Sequence, residues 1–181
     1  ARVIGEIGSL ELDEKKWPEL MPYLFQTASS TDNAQIRETA IFVIFTVLEQ
    51  FNATLGLYVD ELLDLFSMTI VESPQSTLET RSLSAQAIDL VSQLIEEQSE
   101  KNPAQIHKFA ALVPAIVNVL EAVIQAGDSV NAKLIFNCFQ DFLLLDSQII
   151  GNAVLDLINL GIQISSNADI DEDCRIFAMR F

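Results

Sequence analysis

Acid–base chemistry is the first possibility that the residue types raise, because the chain carries 26 acidic residues, 10 Lys and Arg, and 1 histidine. The carboxylate pairs, such as Asp60 with Glu61 and Glu96 with Glu97, are adjacent in the sequence. On a helix they project in different directions, which is poor geometry for paired acid and base work. His107 has no nucleophile or metal ligand near it in the sequence. Since no phosphate-binding, nucleophile-elbow or dinucleotide motif appears either, we predict that the chain is not an enzyme.

The two cysteines raise the possibility of a metal site. Cys138 and Cys174 lie on different predicted helices, without a CxxC pair and without a histidine nearby. We therefore predict no metal and no cofactor. Their apolar surroundings are typical of buried thiols in a reducing compartment.

A polar stripe on one predicted helix is the best candidate binding surface. Thr77 is predicted to cap a helix from about Leu78 to Gln98. Along this helix polar residues recur at steps of three or four and so share one helical face. Carboxylates along such a face attract Lys- and Arg-rich partners and form charge-assisted hydrogen bonds with them. The solvated face of an ordinary surface helix has the same pattern, so both interpretations stay open. The predicted partner-binding residues on this face are Glu79, Gln86, Asp89, Gln93 and Glu96, and Glu38, Glu49 and Asp141 are expected to add acid beside them.

The charge balance agrees with a basic partner and disfavours nucleic acid. The formal net charge is −16, which opposes binding to a phosphate backbone and permits attraction of basic proteins or peptides. The alternative is that the acid only keeps an apolar protein in solution.

A recurring Arg or Lys position predicts how the elements are arranged. The intervals between its four occurrences average about 46 residues, which is the period of a stacked helical array. The first occurrence lies in the helix predicted over 33–51, whose apolar surface covers more than half its circumference and needs partners on two sides. The four occurrences are Ile36-Arg37…Ala40, Thr80-Arg81…Ser84, Ala132-Lys133…Phe136 and Cys174-Arg175…Ala178.

The whole pattern predicts an all-α fold, an α-solenoid of about four antiparallel helix pairs. Helices of about 12 to 20 residues alternate with short loops, and no alternating strand pattern occurs. Pro114 is expected to kink or restart the helix predicted over 106–126. The first helix of the fourth pair is predicted to run from Asp146 to about Ser165. The approximate repeats are a half pair over 1–12, followed by 17–55, 56–103, 104–146 and 147–181. We expect a single array with open apolar ends and without a membrane span.

Two further residue classes have structural explanations. Arg37, Arg81 and Arg175 are expected to form a ladder with a carboxylate or carbonyl of the adjacent repeat, which explains their period better than a ligand does. An aromatic groove is the other possible use of the phenylalanines at helical spacing, but most of them are expected in the core. They are Phe25, Phe42, Phe45, Phe51 and Phe66.

These features resemble HEAT repeats, in which an outer helix with a central proline pairs with an inner helix that carries Ile-Arg-x-x-Ala. Met21-Pro22 and Val113-Pro114 match the first part, and Ile36 to Ala40 matches the second. More specifically, the chain resembles the N-terminal third of karyopherin-β transport receptors, closest to the importins that carry ribosomal proteins and histones. The segments that carry this likeness are Trp17-Pro18-Glu19-Leu20, Ile36 to Ala40, Thr80 to Ala85 and His107 to Pro114.

The resemblance implies a nuclear import receptor that shuttles between cytoplasm and nucleus through the nuclear pore. In that family the inner-helix side binds cargo and the GTP form of Ran, and the outer-helix side contacts phenylalanine-glycine repeats of nucleoporins. An outer-face pocket is expected between adjacent outer helices, around Leu62, Leu65 and Phe66 against Val117 or Leu120. The alternatives are a HEAT-repeat scaffold of another kind, such as a phosphatase or chromosome-complex subunit, and a regulatory domain of an enzyme.

Overall fold

The computed structural model describes residues 18–30, 33–73, 76–96, 102–145, 147–151 and 153–180. The predicted half pair over 1–12 lies outside them. The described residues form helices, and their one β-type pairing is an isolated bridge between Ser73 and Ser76. The helices are α1 (Leu20–Ala28), α2 (Ala34–Phe51), α3 (Val59–Thr69), α4 (Leu78–Glu96), α5 (Pro103–Gln125), α6 (Ser129–Leu145), α7 (Ser147–Ile150), α8 (Val154–Ser166) and α9 (Glu172–Arg180), with a 3₁₀ helix (Asn52–Tyr58) before α3.

The helices stack as antiparallel pairs in two layers, which confirms the all-α solenoid. The outer helices are α1, α3, α5 and α8, and each packs against the inner helix that follows it: α2, α4, α6 and α9. Each inner helix also packs against the next inner helix along the chain. The core therefore runs continuously between the two layers, as expected where each repeat buries its neighbour.

Side-chain caps set where the inner helices begin. The Asn33 side chain accepts hydrogen bonds from the backbone N–H groups of Gln35 and Ile36, at 2.9 and 3.2 Å. The hydroxyl of Thr77 accepts one from Thr80 at 3.1 Å, which confirms the predicted cap of α4. Asp128 and Asp171 do the same for α6 and α9. These side chains satisfy backbone donors that no helical carbonyl can reach, so each inner helix starts at a defined residue.

Two outer helices differ from the prediction. The helix α5 runs unbroken through Pro114, because the proline is exposed and the carbonyl that loses its hydrogen bond lies on a half-buried residue, Ala110, which water can reach. The fourth outer helix was predicted as one piece from Asp146, but a turn at Gly151 separates α7 from α8. Glycine is the poorest helix former after proline, which explains the break.

The phenylalanines form the centre of the array, with one exception among those predicted. The ring of Phe142 meets those of Phe109 and Phe139 edge-on, with centroids 4.7 and 5.9 Å apart. Phe66 is fully buried, and Phe25 and Phe45 pack against the core. Phe42, by contrast, is 40% exposed and is not a core residue. Among the described residues, no helix covers the side of α2 on which it lies. The side chain of Phe51 lies outside the described residues.

The helix α5 is long and apolar enough to cross a membrane, judged by length and composition alone. In the structure it packs against α3, α4, α6 and α7. Its apolar face, which includes Phe109, Ile116 and Leu120, is buried in the common core. Core helices of this kind pass the same test of length and composition.

Candidate functional site

The predicted polar stripe lies on α4, an inner helix with neighbours in both layers. It contacts α2, α3, α5 and α6. As a result only Glu79 and Glu96, at its two ends, are exposed, while Gln86, Asp89 and Gln93 are half-buried. The expectation of a continuous open stripe is therefore wrong in its middle, because that part of the helix faces the next inner helix. We call the contact between α4 and α6 the inner seam.

Amide side chains join the two helices at one level of the inner seam. The Gln86 Nε2 donates to Asn131 Oδ1 at 3.0 Å and to Ser82 Oγ at 3.2 Å. Asn131 donates in turn from Nδ2 to Asp128 Oδ2 at 2.6 Å. Gln86 is thus part of a hydrogen-bonded network between two repeats. It holds the repeats in register, in addition to any role in binding a partner.

Two carboxyl groups meet at another level of the same seam. Burial, followed by the charge of Asp141 and a hydrogen bond to it, raises the pKa of Asp89 to about 7. The Oδ1 atom of Asp89 is buried and has no donor among the described residues. Nearby on α6, burial raises the pKa of the Cys138 thiol well above its usual value, and both carboxylates add to the effect. Near neutral pH Asp89 is therefore protonated for much of the time.

Polar contacts also join the other neighbouring inner helices. Thr77 and Thr80, at the start of α4, donate to the Glu38 Oε2 of α2 at 3.0 and 3.3 Å. Lys133 of α6 donates to Asp173 Oδ2 of α9 at 2.9 Å, and this hydrogen bond raises the pKa of Lys133. Each inner helix is thus tied to the start of the next one.

The predicted arginine ladder takes a different form from the one expected. Lys133 does reach across to the adjacent repeat, but Arg81 lies 3.8 Å from Glu72 within its own repeat. The Nε atoms of Arg81 and Arg175 are buried without a partner among the described residues. The recurring position therefore serves inter-repeat pairing most clearly where lysine replaces arginine.

The inner-helix face, which is the surface formed by α2, α4 and α6, is more apolar than expected. On α4, Leu83 and Leu90 are half-buried beside Gln86 and Gln93. Phe42 of α2 and Leu134 of α6 are 40% and 42% exposed. Sequence reasoning did not place Phe42 on this surface, since an apolar side chain at helical spacing looks the same on either side of a helix. The inner-helix face therefore combines carboxylates, amides and apolar side chains.

The predicted outer pocket is wrong, because its three α3 residues are in the core. Leu62, Leu65 and Phe66 are 0%, 4% and 0% exposed. Their spacing marks the side of α3 that packs inward. The exposed side of α3 instead carries Asp60 and Asp64, which bind Lys108 Nζ of α5 at 3.4 and 2.8 Å.

Asp60 has a second partner on α5. The Gln105 Nε2 donates to its Oδ2 at 3.2 Å. We call the contacts of Asp60 and Asp64 with Gln105 and Lys108 the outer clamp. It holds the outer helices of the second and third pairs together.

A large groove lies one position further along the outer layer. It has a volume of about 1120 Å³ and lies between α5 and α8, with α7 at one side. The two outer helices diverge here, since α5 packs against the short α7 instead of along α8. Apolar side chains and amides line it together, among them Ala111, Val117, Asn118, Leu160 and Gln163. Val117 was among the residues expected to line an outer pocket, whereas Leu120 is buried in the core.

The remaining candidates for chemistry are spread apart. Among the described residues, no group of three or more His, Cys, Asp and Glu is arranged to hold a metal ion. Cys138 and Cys174 are buried free thiols, as predicted. His107 lies on the rim of the outer groove, where it is exposed. The geometry thus offers surfaces for binding, on the inner-helix face and in the outer groove.

Comparisons with known proteins agree with this geometry. A family model described as IPO5-like, TPR repeats, matches residues 1–160. The chain is 31% identical over 180 residues to the probable importin subunit beta-4 of Schizosaccharomyces pombe. This alignment covers 99% of the chain but only 16% of that protein, so the chain spans a small part of its relative's length. Crystal structures of Kap121p and of a triple mutant of it share the fold, with TM-scores of 0.65 and 0.64 at 17% identity. The two structural alignments cover 91% and 90% of this chain, and 15% of each crystallised chain. The chain thus belongs to the IPO5-like family of importin-β (karyopherin) proteins.

Proposed function

We propose that this chain works as part of a nuclear import receptor, by reversible binding without catalysis. In this proposal the inner-helix face binds the GTP form of Ran and basic cargo, such as ribosomal proteins or histones, and the outer groove binds phenylalanine-glycine repeats of nucleoporins. Membership of the importin family supports the receptor role. The similar protein from Schizosaccharomyces pombe is itself named as a probable importin subunit.

The charge of the inner-helix face is the observation that carries the proposal. Glu49, Glu79 and Glu96 are exposed on α2 and α4, and Asp141 of α6 is half-buried. The cation of the third inner helix, Lys133, is already paired with Asp173. Among the described residues, no Lys or Arg is paired with these four carboxylates of α2, α4 and α6. Such carboxylates speed the encounter with a basic protein and then form charge-assisted hydrogen bonds with its Lys and Arg.

The outer groove supports the nucleoporin part of the proposal. Its apolar floor accepts an aromatic side chain, because Val117 and Leu160 line it and burying a phenylalanine there removes apolar surface from water. Asn118 and Gln163 offer amide donors and acceptors for the backbone of an extended peptide. A groove of about 1120 Å³ has room for a short segment of chain.

Pull-down of Ran loaded with GDP or with a GTP analogue tests the receptor role. We expect the chain to retain the GTP form only. The variant E79K/E96K, which reverses two exposed inner acids, is expected to lower the affinity for Ran and for a histone by about tenfold or more, because it removes attraction and adds repulsion. The matched control E19K/E61K makes the same change of charge on exposed residues of the outer layer and should bind as the unaltered chain does.

A scaffold of another kind predicts a different result. Its partner would bind irrespective of the nucleotide state. Equal retention of Ran in both states, or no retention in either, would therefore contradict the import-receptor proposal. An equal loss of histone binding in both variants would show that only net charge matters, and would remove the inner-helix face from the proposal.

A further inference from the structure

The outer groove contains a backbone acceptor that its own helix does not use. Pro114 has no N–H group, so the Ala110 carbonyl lacks the donor that a helix normally supplies four residues later. Both residues line the groove, where Pro114 is exposed and Ala110 is half-buried. Since a helical carbonyl points along the axis toward the residue four positions on, this acceptor lies on the groove wall beside Pro114. A ligand that brings an N–H group to it restores the missing hydrogen bond.

Acidic side chains add acceptors on both walls of the groove. Glu121 of α5 and Asp156 of α8 line it, and both are exposed. Among the described residues, neither of them is paired with a lysine or an arginine. The described lining includes no Lys or Arg either, and its one basic side chain is His107, at the rim. The groove therefore offers a ligand many more acceptors than cationic donors.

The spacing along α5 sets the length of ligand that fits. Exposed lining residues follow one another at steps of four and three and so form one stripe on the groove side of the helix. They are His107, Ala111, Pro114, Asn118 and Glu121. The stripe is about 21 Å long, at 1.5 Å per residue. An extended peptide of about six or seven residues spans the same length.

We propose that the outer groove selects a basic segment of its partner, in which a phenylalanine lies next to a lysine or an arginine in an extended chain. The phenylalanine fills the apolar floor formed by Val117 and Leu160, and a backbone N–H of the segment donates to the Ala110 carbonyl. The neighbouring cation lies against Glu121 or Asp156. This inference rests on the proposed function, which assigns phenylalanine-glycine repeats to the groove, and it names the kind of repeat that binds best.

Charge complementarity decides between basic and acidic segments. One exposed ion pair changes an affinity only a few-fold. Here the carboxylates of Glu121 and Asp156 come from opposite walls, and a bound peptide excludes part of the water between them, which strengthens their effect. They attract a lysine and repel a glutamate at the same place, so the difference between two such peptides contains both contributions.

Fluorescence anisotropy with labelled seven-residue peptides tests the preference on the full chain. Each peptide has a central Phe-Gly, and the flanking residues are Lys, Gln or Glu. We expect the Lys peptide to bind about tenfold or more tightly than the Glu peptide, with the Gln peptide between them. The variant E121Q/D156N should bring the three affinities close together. The matched control E19Q/E61Q removes two exposed acids of the outer layer outside the groove, and should keep the full difference.

Replacement of Pro114 tests the backbone acceptor. The change P114A gives the Ala110 carbonyl its helical donor back, so all three peptides should bind about two- to tenfold more weakly. The same change is expected to stabilise the fold, and a loss of affinity together with a gain in stability separates binding from damage. The control P22A alters an exposed proline of α1, away from the groove, and should bind as the unaltered chain does. Unchanged affinity in P114A would overturn the role of the carbonyl.

The peptide results separate this inference from the function on which it rests. Equal binding of the three peptides would overturn the preference and leave the nucleoporin part of the proposed function standing. A difference that persists in E121Q/D156N, or falls equally in E19Q/E61Q, would also overturn it, because net charge alone would then act. A Lys-flanked peptide with serine in place of phenylalanine should bind at least about tenfold more weakly, and equal binding would contradict the use of the apolar floor. Binding of none of the peptides would remove both the inference and the nucleoporin part.

Discussion

Three apolar residues of α3 show that helical spacing alone does not distinguish a core residue from a binding residue. Leu62, Leu65 and Phe66 follow one another at helical steps, which marks a face that is buried or binds a partner. The structure places all three in the core, where α3 packs against α4. Burial of this kind makes them important for stability and removes them from the candidate binding surface.

Truncation of Phe66 separates these two roles. The change F66A is expected to lower the free energy of unfolding by about 3 to 5 kcal/mol, because it removes buried ring surface and leaves a cavity. Urea unfolding measures this directly. The matched control M68A alters a residue of the same helix that is 64% exposed, and should change stability by about 0.5 kcal/mol or less. If F66A were as mild as M68A, the ring would not be a core residue.

At the scale of single residues, Asp89 shows what the sequence leaves open. The sequence predicted it on an open polar stripe, whereas the structure leaves it half-buried. The partner that perturbs it, Asp141, lies on another helix and becomes a neighbour only when the repeats stack. No property of the residues around Asp89 in the chain signals a raised pKa.

At the scale of the elements, α5 is a helix that continues through an internal proline. Pro114 lacks an N–H group and interrupts the hydrogen-bond ladder, yet the helix continues from Pro103 to Gln125. The outer clamp fixes the first turns of α5, and the rest of the helix packs on the core. These contacts hold the helix together where the hydrogen bond is missing. The proline also lines the outer groove, where it is exposed.

Replacement of this proline tests the cost of the interruption. The change P114A restores a donor for the Ala110 carbonyl, so we expect the free energy of unfolding to rise by up to about 3 kcal/mol. The control P103A alters a proline at the first helical turn of α5, where the N–H would be unpaired in any case, and should have little effect. Thermal unfolding compares the two. A loss of stability in P114A would mean that contacts of the proline ring outweigh the missing hydrogen bond.

In the whole molecule, the two candidate surfaces belong to different layers. The inner-helix face is made by α2, α4 and α6, and the outer groove by α5, α7 and α8. The common core separates them. A change that blocks one surface should therefore leave binding to the other intact, unless flexing of the solenoid couples them.

Substitutions on the two surfaces test this independence. A111E places a charged side chain in the outer groove at an exposed position, and is expected to weaken binding of a phenylalanine-glycine peptide by about tenfold or more while it leaves histone binding unchanged. The variant E79K/E96K should have the opposite pattern. The control A104E makes the same change on α5 outside the groove. Normal peptide binding by A111E, measured by fluorescence anisotropy, would exclude the groove as the site.

The sequence by itself determined the all-α class, the pairing of helices and the start of α4 at its Thr77 cap, because these depend on local periodicity and on side chains next to the helix ends. It also determined the acidic character that favours a basic partner. Only the tertiary structure decided which polar residues are open to a partner, that Phe42 is exposed and Phe66 buried, and that the outer groove lies beside α5 and not beside α3. The physical reason is that each helix here is covered by several others. A pattern along one helix shows which side chains share a face, whereas the stacking of repeats determines whether that face meets water, a core or another carboxylate.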